Sequence, residues 1–146
     1  MSHAGLASTA ARHRTILVVD DEDIVRALVT RVLREAGYRV VQAQHGAAAI
    51  ALLDAQGSTI DLVISDLVMP GLGGREIAHW MAAHLPSLPV LFISGYPKPY
   101  LEAHRLFDET APLLRKPFLP SRLLETVLEL LRGDPGYDSL PAAEGH

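Results

Sequence analysis

Residues 16–23 read Ile16-Leu17-Val18-Val19-Asp20-Asp21-Glu22-Asp23. Four apolar residues in succession, three of them β-branched, mark a strand covered on both faces, because a strand with one wet face would alternate. The acids that follow stand where that strand ends. Next, Val25, Leu28, Val29, Val32, Leu33 and Ala36 recur at three- and four-residue spacing, one face of a helix that Gly37 stops. Asp23 is the expected N-cap. A doubly buried strand running directly into an amphipathic helix is the first half of a βαβ unit.

The same alternation continues. Strands are expected at 38–41, 62–64, 90–93 and 113–114, and helices at 46–53, 74–83, 100–107 and from Pro120, where Leu123, Leu124, Val127, Leu128 and Leu131 share a face. Strands alternating with helices give right-handed crossovers and a parallel sheet with helices on both sides, a three-layer (βα)5 α/β sandwich. The folded part is expected at 15–132. Flexible tails are expected at 1–14 and 133–146, and no second domain fits in either.

Composition narrows the function. The 146 residues are 49% hydrophobic and 21% charged, as in a globular chain. With no cysteine there is no disulfide scaffold, thiolate metal site or cysteine nucleophile. Seventeen acids against 13 bases give a net charge of −4, and no basic cluster exists to hold nucleic-acid phosphates. No apolar stretch approaches the ~20 residues of a membrane span, and no secretory signal opens the chain. A cytoplasmic setting is expected, without a nucleic-acid or membrane partner.

Ligands of an open parallel sheet gather outside the carboxyl ends of its strands. The first strand is followed by Asp20, Asp21, Glu22 and Asp23, the third by Ser65 and Asp66, the fourth by Ser94 and Gly95, and the fifth by Arg115 and Lys116. Each signal alone has an ordinary reading as a cap or a turn. All four at strand ends put carboxylates, a hydroxyl and an ammonium group on one rim. Crowded carboxylates repel, which raises at least one pKa, and a hard divalent cation relieves the conflict. An unpaired lysine there can hold a phosphate, and Asp66, alone at its strand end, is the candidate nucleophile. Together these parts suit a phosphoryl group passed to a carboxylate.

The stretches 16–22, Leu62-Val63-Ile64-Ser65-Asp66-Leu67-Val68-Met69-Pro70-Gly71, Leu91-Phe92-Ile93-Ser94-Gly95-Tyr96 and Arg115-Lys116-Pro117-Phe118 resemble the receiver domain of two-component response regulators. The resemblance implies a flavodoxin-like strand order 2-1-3-4-5. It makes Asp66 the phosphoacceptor for a histidine kinase or histidine phosphotransfer domain. It also gives Mg²⁺ the ligands Asp20, Asp21, Asp66 and the Val68 carbonyl, with Asp20 acting mostly through water. Ser94 is the hydroxyl that follows the phosphoryl group, Lys116 is the phosphate-binding lysine, and the Lys116–Pro117 bond is expected to be cis. The donor is expected near the first helix. A homodimer through the fourth helix, fifth strand and fifth helix fits the resemblance. The chain is then an acceptor that assists its own phosphorylation, not an enzyme, and it stands alone or comes from a hybrid histidine kinase.

One departure concerns the switch. Three residues before the lysine, where the family usually has Tyr or Phe, stands Leu113. Weaker or different coupling to the surface around the last two helices is expected, with Tyr96 the candidate substitute ring. Competing readings fit less well. A haloacid-dehalogenase phosphatase needs an Asp two residues after its nucleophile, where Val68 stands. A flavodoxin needs a hydroxyl-rich loop where this chain has acids. Gly71-Leu72-Gly73-Gly74 does not fit a dinucleotide fingerprint. A pseudo-receiver that only docks is the remaining alternative. The seven histidines are expected on the surface, and Trp80 is expected to pack on the third helix.

Overall fold

The computed structural model describes residues 14–107 and 111–132. The expected tails, apart from Arg14, lie outside these residues, as do His3, His13 and His146. In chain order the elements are β1 (Thr15–Val19), α1 (Asp23–Glu35), β2 (Arg39–Ala43), α2 (Gly46–Gln56) with a 3-10 turn (Gly57–Thr59), and β3 (Leu62–Asp66). Then come α3 (Gly74–His84), β4 (Val90–Ser94), α4 (Lys98–Ala103), β5 (Leu113–Arg115) and α5 (Pro120–Leu131). The five strands form one parallel sheet in the order β2-β1-β3-β4-β5.

Two-sided burial follows from the apolar runs. Ile16, Val18, Ile64 and Ile93 face Val29, Leu33, Leu123 and Val127 of α1 and α5. Leu17, Val19 and Val63 face Ala49, Leu53, Ile77 and Met81 of α2 and α3. Successive strand residues point to opposite faces, so a four-residue apolar run supplies both layers at once. The Thr15 amide donates to Asp61 Oδ2 (2.7 Å), which ties the start of β1 to the start of β3. That register puts the ends of both strands at one rim.

Close backbone approaches set the loops there. A Cβ on Gly46 would stand 2.3 Å from the Leu72 carbonyl oxygen, and one on Gly74 2.9 Å from the Asp66 carbonyl oxygen. Only glycine lets α2 and α3 begin so close to the loop after β3. Gly37, at φ +103°, turns the chain out of α1.

Two expectations need correction. Asp23 is not the N-cap of α1: Glu22 occupies that position, in extended conformation, and Asp23 is the first helical residue. The Asp23 carboxylate is taken by Arg26 at 2.7 Å. The fourth helix runs over Lys98–Ala103 instead of 100–107. Pro97 (φ −64°) and Pro99 pre-set its first turn, which moves its start forward. At its end Arg105 takes φ +58°, and the Leu106 amide donates back to the Leu101 carbonyl (2.8 Å). This left-handed exit folds Phe107 under the helix against Leu67, Phe92 and Leu101. Phe107 is therefore a core residue that arrives by a turn.

The four described histidines, His45, His79, His84 and His104, are exposed. His45 also caps α2, with Nδ1 accepting from the Ala48 amide at 3.1 Å. Trp80 packs half-buried on the α2–α3 layer and stacks on His84.

Candidate functional site

Asp20 leaves β1 with its amide donating to the Ala43 carbonyl of β2 (3.2 Å), and its side chain is buried. Its Oδ1 accepts the Glu22 amide at 2.9 Å, and its carbonyl accepts from Arg26 Nη1 at 2.7 Å. The Arg26 guanidinium also donates to Asp23 Oδ1 (2.7 Å) and to Gln42 Oε1 of β2 (3.3 Å). One arginine thus joins the acidic loop to α1 and to the neighbouring strand. Asp21 projects into solvent beside Asp20.

Asp66 is the last residue of β3 and is buried. Its position is set by β4, because the next amide, Leu67, donates to the Ile93 carbonyl at 2.8 Å. The loop beyond closes when the Gly74 amide donates to the Leu67 carbonyl (3.0 Å) and the Gly73 amide to Glu76 Oε1 (2.9 Å). Val68 lies in this loop with its side chain half-buried against the Leu67–Phe92 cluster.

Carboxylate oxygens of Asp20, Asp21 and Asp66 lie within 4.8 Å of one another. Lys116 Nζ sits among them, 3.2 Å from Glu22 Oε1, 3.5 Å from Asp20 Oδ2 and 3.6 Å from Asp66 Oδ1. The lysine is delivered from the other end of the sheet: its amide donates to the Ser94 carbonyl (2.9 Å), and the Lys116–Pro117 bond is cis, as expected. Ser94 closes β4, buried, with Oγ accepting the Tyr96 amide at 3.0 Å. The Tyr96 ring turns outward and stacks on Tyr100, which stacks on His104. Leu113 is half-buried against the cluster of Leu67, Phe92, Leu101 and Phe107.

Electrostatics follow from this crowding. Burial pushes the Asp66 carboxyl up to about 7, and the charges of Asp20, Asp21 and Glu22 add to the effect against the opposing pull of Lys116. Asp20 is raised by burial as well, with the Glu22 amide and Lys116 holding it back. Burial works to lower the Lys116 ammonium, but Asp66, Asp20 and Glu22 outweigh it and hold it above its ordinary value. The rim therefore carries unbalanced negative charge, and its oxygen donors fit a hard divalent cation.

The structure thus brings Asp20, Asp21, Asp66, Ser94 and Lys116 to one edge, as the sequence led us to expect. Two contacts had escaped that reading. Glu22 makes the shortest contact to Lys116, across 94 residues of sequence, so the lysine expected to be unpaired has carboxylate partners, and no local pattern signals such a pair. Arg26 holds the acidic loop; its spacing from Asp23 signalled a helical ion pair but not the bond to the Asp20 carbonyl.

A family model described as the response regulator receiver domain matches residues 16–128. This chain belongs to the response regulator receiver family. The receiver is 34% identical over 117 residues to the sensor kinase CckA of Brucella abortus, a match covering 80% of this chain and 12% of that kinase. It is 30% identical over 118 residues to the response regulator receiver protein CpdR of the same organism, covering 81% of this chain and 97% of CpdR. Among solved structures, the receiver domain of the hybrid histidine kinase CckA superposes with a TM-score of 0.68 at 37% identity, covering 80% of this chain and 98% of that one. A receiver protein from Sinorhizobium medicae superposes at 0.72 with 30% identity, covering 82% and 94%. The flavodoxin-like order 2-1-3-4-5 that the resemblance implied is the one found. No helix among the described residues is long and apolar enough to cross a membrane.

Proposed function

We propose that this receiver takes a phosphoryl group onto Asp66 from the phosphohistidine of a histidine kinase or phosphotransfer partner, in a Mg²⁺-dependent reaction. The observation that carries the reading is the convergence of three carboxylate oxygens with the Lys116 ammonium beside Asp66. The donor set is all oxygen, so Asp20, Asp21, Asp66 and the Val68 carbonyl would hold Mg²⁺, which supplies positive charge against the carboxylates and the incoming phosphoryl oxygens.

The chain's own groups account for the rest. An Asp66 oxygen attacks phosphorus, the P–N bond to the donor imidazole breaks, and its electron pair returns to the ring. Lys116 leaves its carboxylate partners to pair with the new phosphoryl group, which adds about −1.5 to −2 charges by analogy with other phosphorylated side chains. Ser94 is next to the same edge, and its hydroxyl can turn from the Tyr96 amide to a phosphoryl oxygen. That exchange would loosen the segment carrying Tyr96 and α4, the two-state element of the switch. The donor docks beside α1, where Ile24 and Leu28 stay exposed next to the acidic loop. The receiver is consumed one phosphoryl group at a time and does not turn over external phosphoesters, because Val68 stands where a phosphatase acid would be.

Incubation with acetyl phosphate, with and without Mg²⁺, tests this in wild type and Asp66→Asn. Uptake is expected only in wild type with the metal. Uptake that ignores the metal, or persists undiminished in the variant, overturns the assignment. A wild type that takes up nothing leaves the pseudo-receiver reading in its place.

A further inference from the structure

We propose that Glu22 is a specificity-determining residue of the acceptor site, holding Lys116 before phosphorylation and disfavouring small donors of high negative charge. The inference rests on the acceptor reading above. Three observations carry it. Glu22 occupies the N-cap of α1, yet its side chain makes no capping bond. Its carboxylate reaches across the rim and makes the shortest of the three contacts to Lys116 Nζ, 3.2 Å against 3.5 and 3.6 Å. Its side chain is 61% exposed, whereas those of Asp20 and Asp66 are 4% and 8%.

Glu22 is also absent from the trio of carboxylates that converge on a cation. With a divalent cation held by that trio, four carboxylates face one ammonium and two cationic charges. One negative charge is left over, and the Glu22 carboxylate places it at the solvent side, on the lysine an incoming phosphate must reach. A donor therefore has to displace Glu22 from Lys116 and tolerate its charge. Repulsion at a half-exposed rim is weakened but not abolished by water, and salt screens it.

Donors of different charge separate this role from a structural one. With acetyl phosphate, an Asp66 oxygen bonds to phosphorus, the P–O bond breaks and acetate leaves with the electron pair. With phosphoramidate, the P–N bond breaks and ammonia leaves with the pair. Acetyl phosphate is a dianion near neutral pH, while phosphoramidate carries one net negative charge.

The test compares rates of phosphoryl uptake in wild type, Glu22→Gln and Glu125→Gln, a remote exposed carboxylate, at low and high salt. Glu22→Gln is expected to speed reaction with acetyl phosphate about three- to tenfold at low salt, with the gain shrinking as salt rises, by the Coulomb energy of one removed charge at short range. Reaction with phosphoramidate should gain less than reaction with acetyl phosphate, because it shares the release of Lys116 but feels less of the repulsion, and Glu125→Gln should match wild type with both donors. Equal changes with both donors, a gain that ignores salt, or slower uptake by Glu22→Gln overturns the proposal and makes Glu22 a prop for Lys116. A wild type inert to both donors overturns the acceptor reading itself, and this inference with it.

Discussion

Asp66 is where burial and neighbouring charge act together, and stability should record it. Its carboxyl titrates at about 7 in the folded chain, against about 4 in an unfolded one. Below the lower value both states hold the proton. As pH rises, the unfolded chain ionises first, so stability contributed by this group is present at acid pH and lost as pH climbs toward 7. In metal-free protein, Asp66→Asn removes the penalty: urea denaturation should show the variant more stable by about 2–4 kcal/mol at pH 8 and unchanged near pH 4. A variant no more stable at pH 8 would mean that Asp66 is not under this strain. The residues of the rim were legible because each follows an apolar strand, and a parallel sheet delivers strand ends to one edge. Glu22 and Arg26 were not legible, because their bonds depend on how α1 meets β2 and on the distant Lys116.

Among the elements, the apolar faces of α1 and α5 were read correctly, though not the N-cap of α1, because their stripes and their stops agree. For α4 they did not agree. The spacing from Tyr100 to Phe107 looked helical, but two prolines fixed its start and a left-handed turn at Arg105 ended it. An arginine at φ +58° is strained, so Arg105→Gly should raise stability by about 1 kcal/mol in chemical denaturation. The opposite change is expected at α3, where a Cβ on Gly74 meets backbone atoms of Asp66 and Leu67 that cannot yield. Gly74→Ala should lower stability by about 1–3 kcal/mol and slow phosphoryl uptake by shifting Asp66. Leu113 belongs to this scale too. It has no ring to swing inward, so a beryllofluoride-bound crystal structure should show Ser94 displaced with little rotation at Leu113. A full inward rotation coupled to Ser94 would contradict weakened coupling.

For the molecule as a whole, apolar runs alternating with helical stripes established the α/β class from residues alone, whereas the strand order came from resemblance to a family. Nothing in periodicity says that β2 lies outside β1 or that β3 follows on its other side. What the assembled sheet creates is a cluster of carboxylates and a lysine that no single stretch contains. A cation bound only by the folded state stabilises it, by about 2.7 kcal/mol at a hundred times the dissociation constant. Mg²⁺ should therefore raise the melting temperature of wild type and leave that of Asp21→Asn nearly unmoved; equal shifts in both would place the cation elsewhere. The most direct measurement is the position of the phosphoryl group itself. Acyl phosphates are reduced by borohydride, so protein treated with acetyl phosphate and Mg²⁺, reduced and sequenced by mass spectrometry, should carry homoserine at position 66. Homoserine at position 20 or 21, or at no position, would contradict the account.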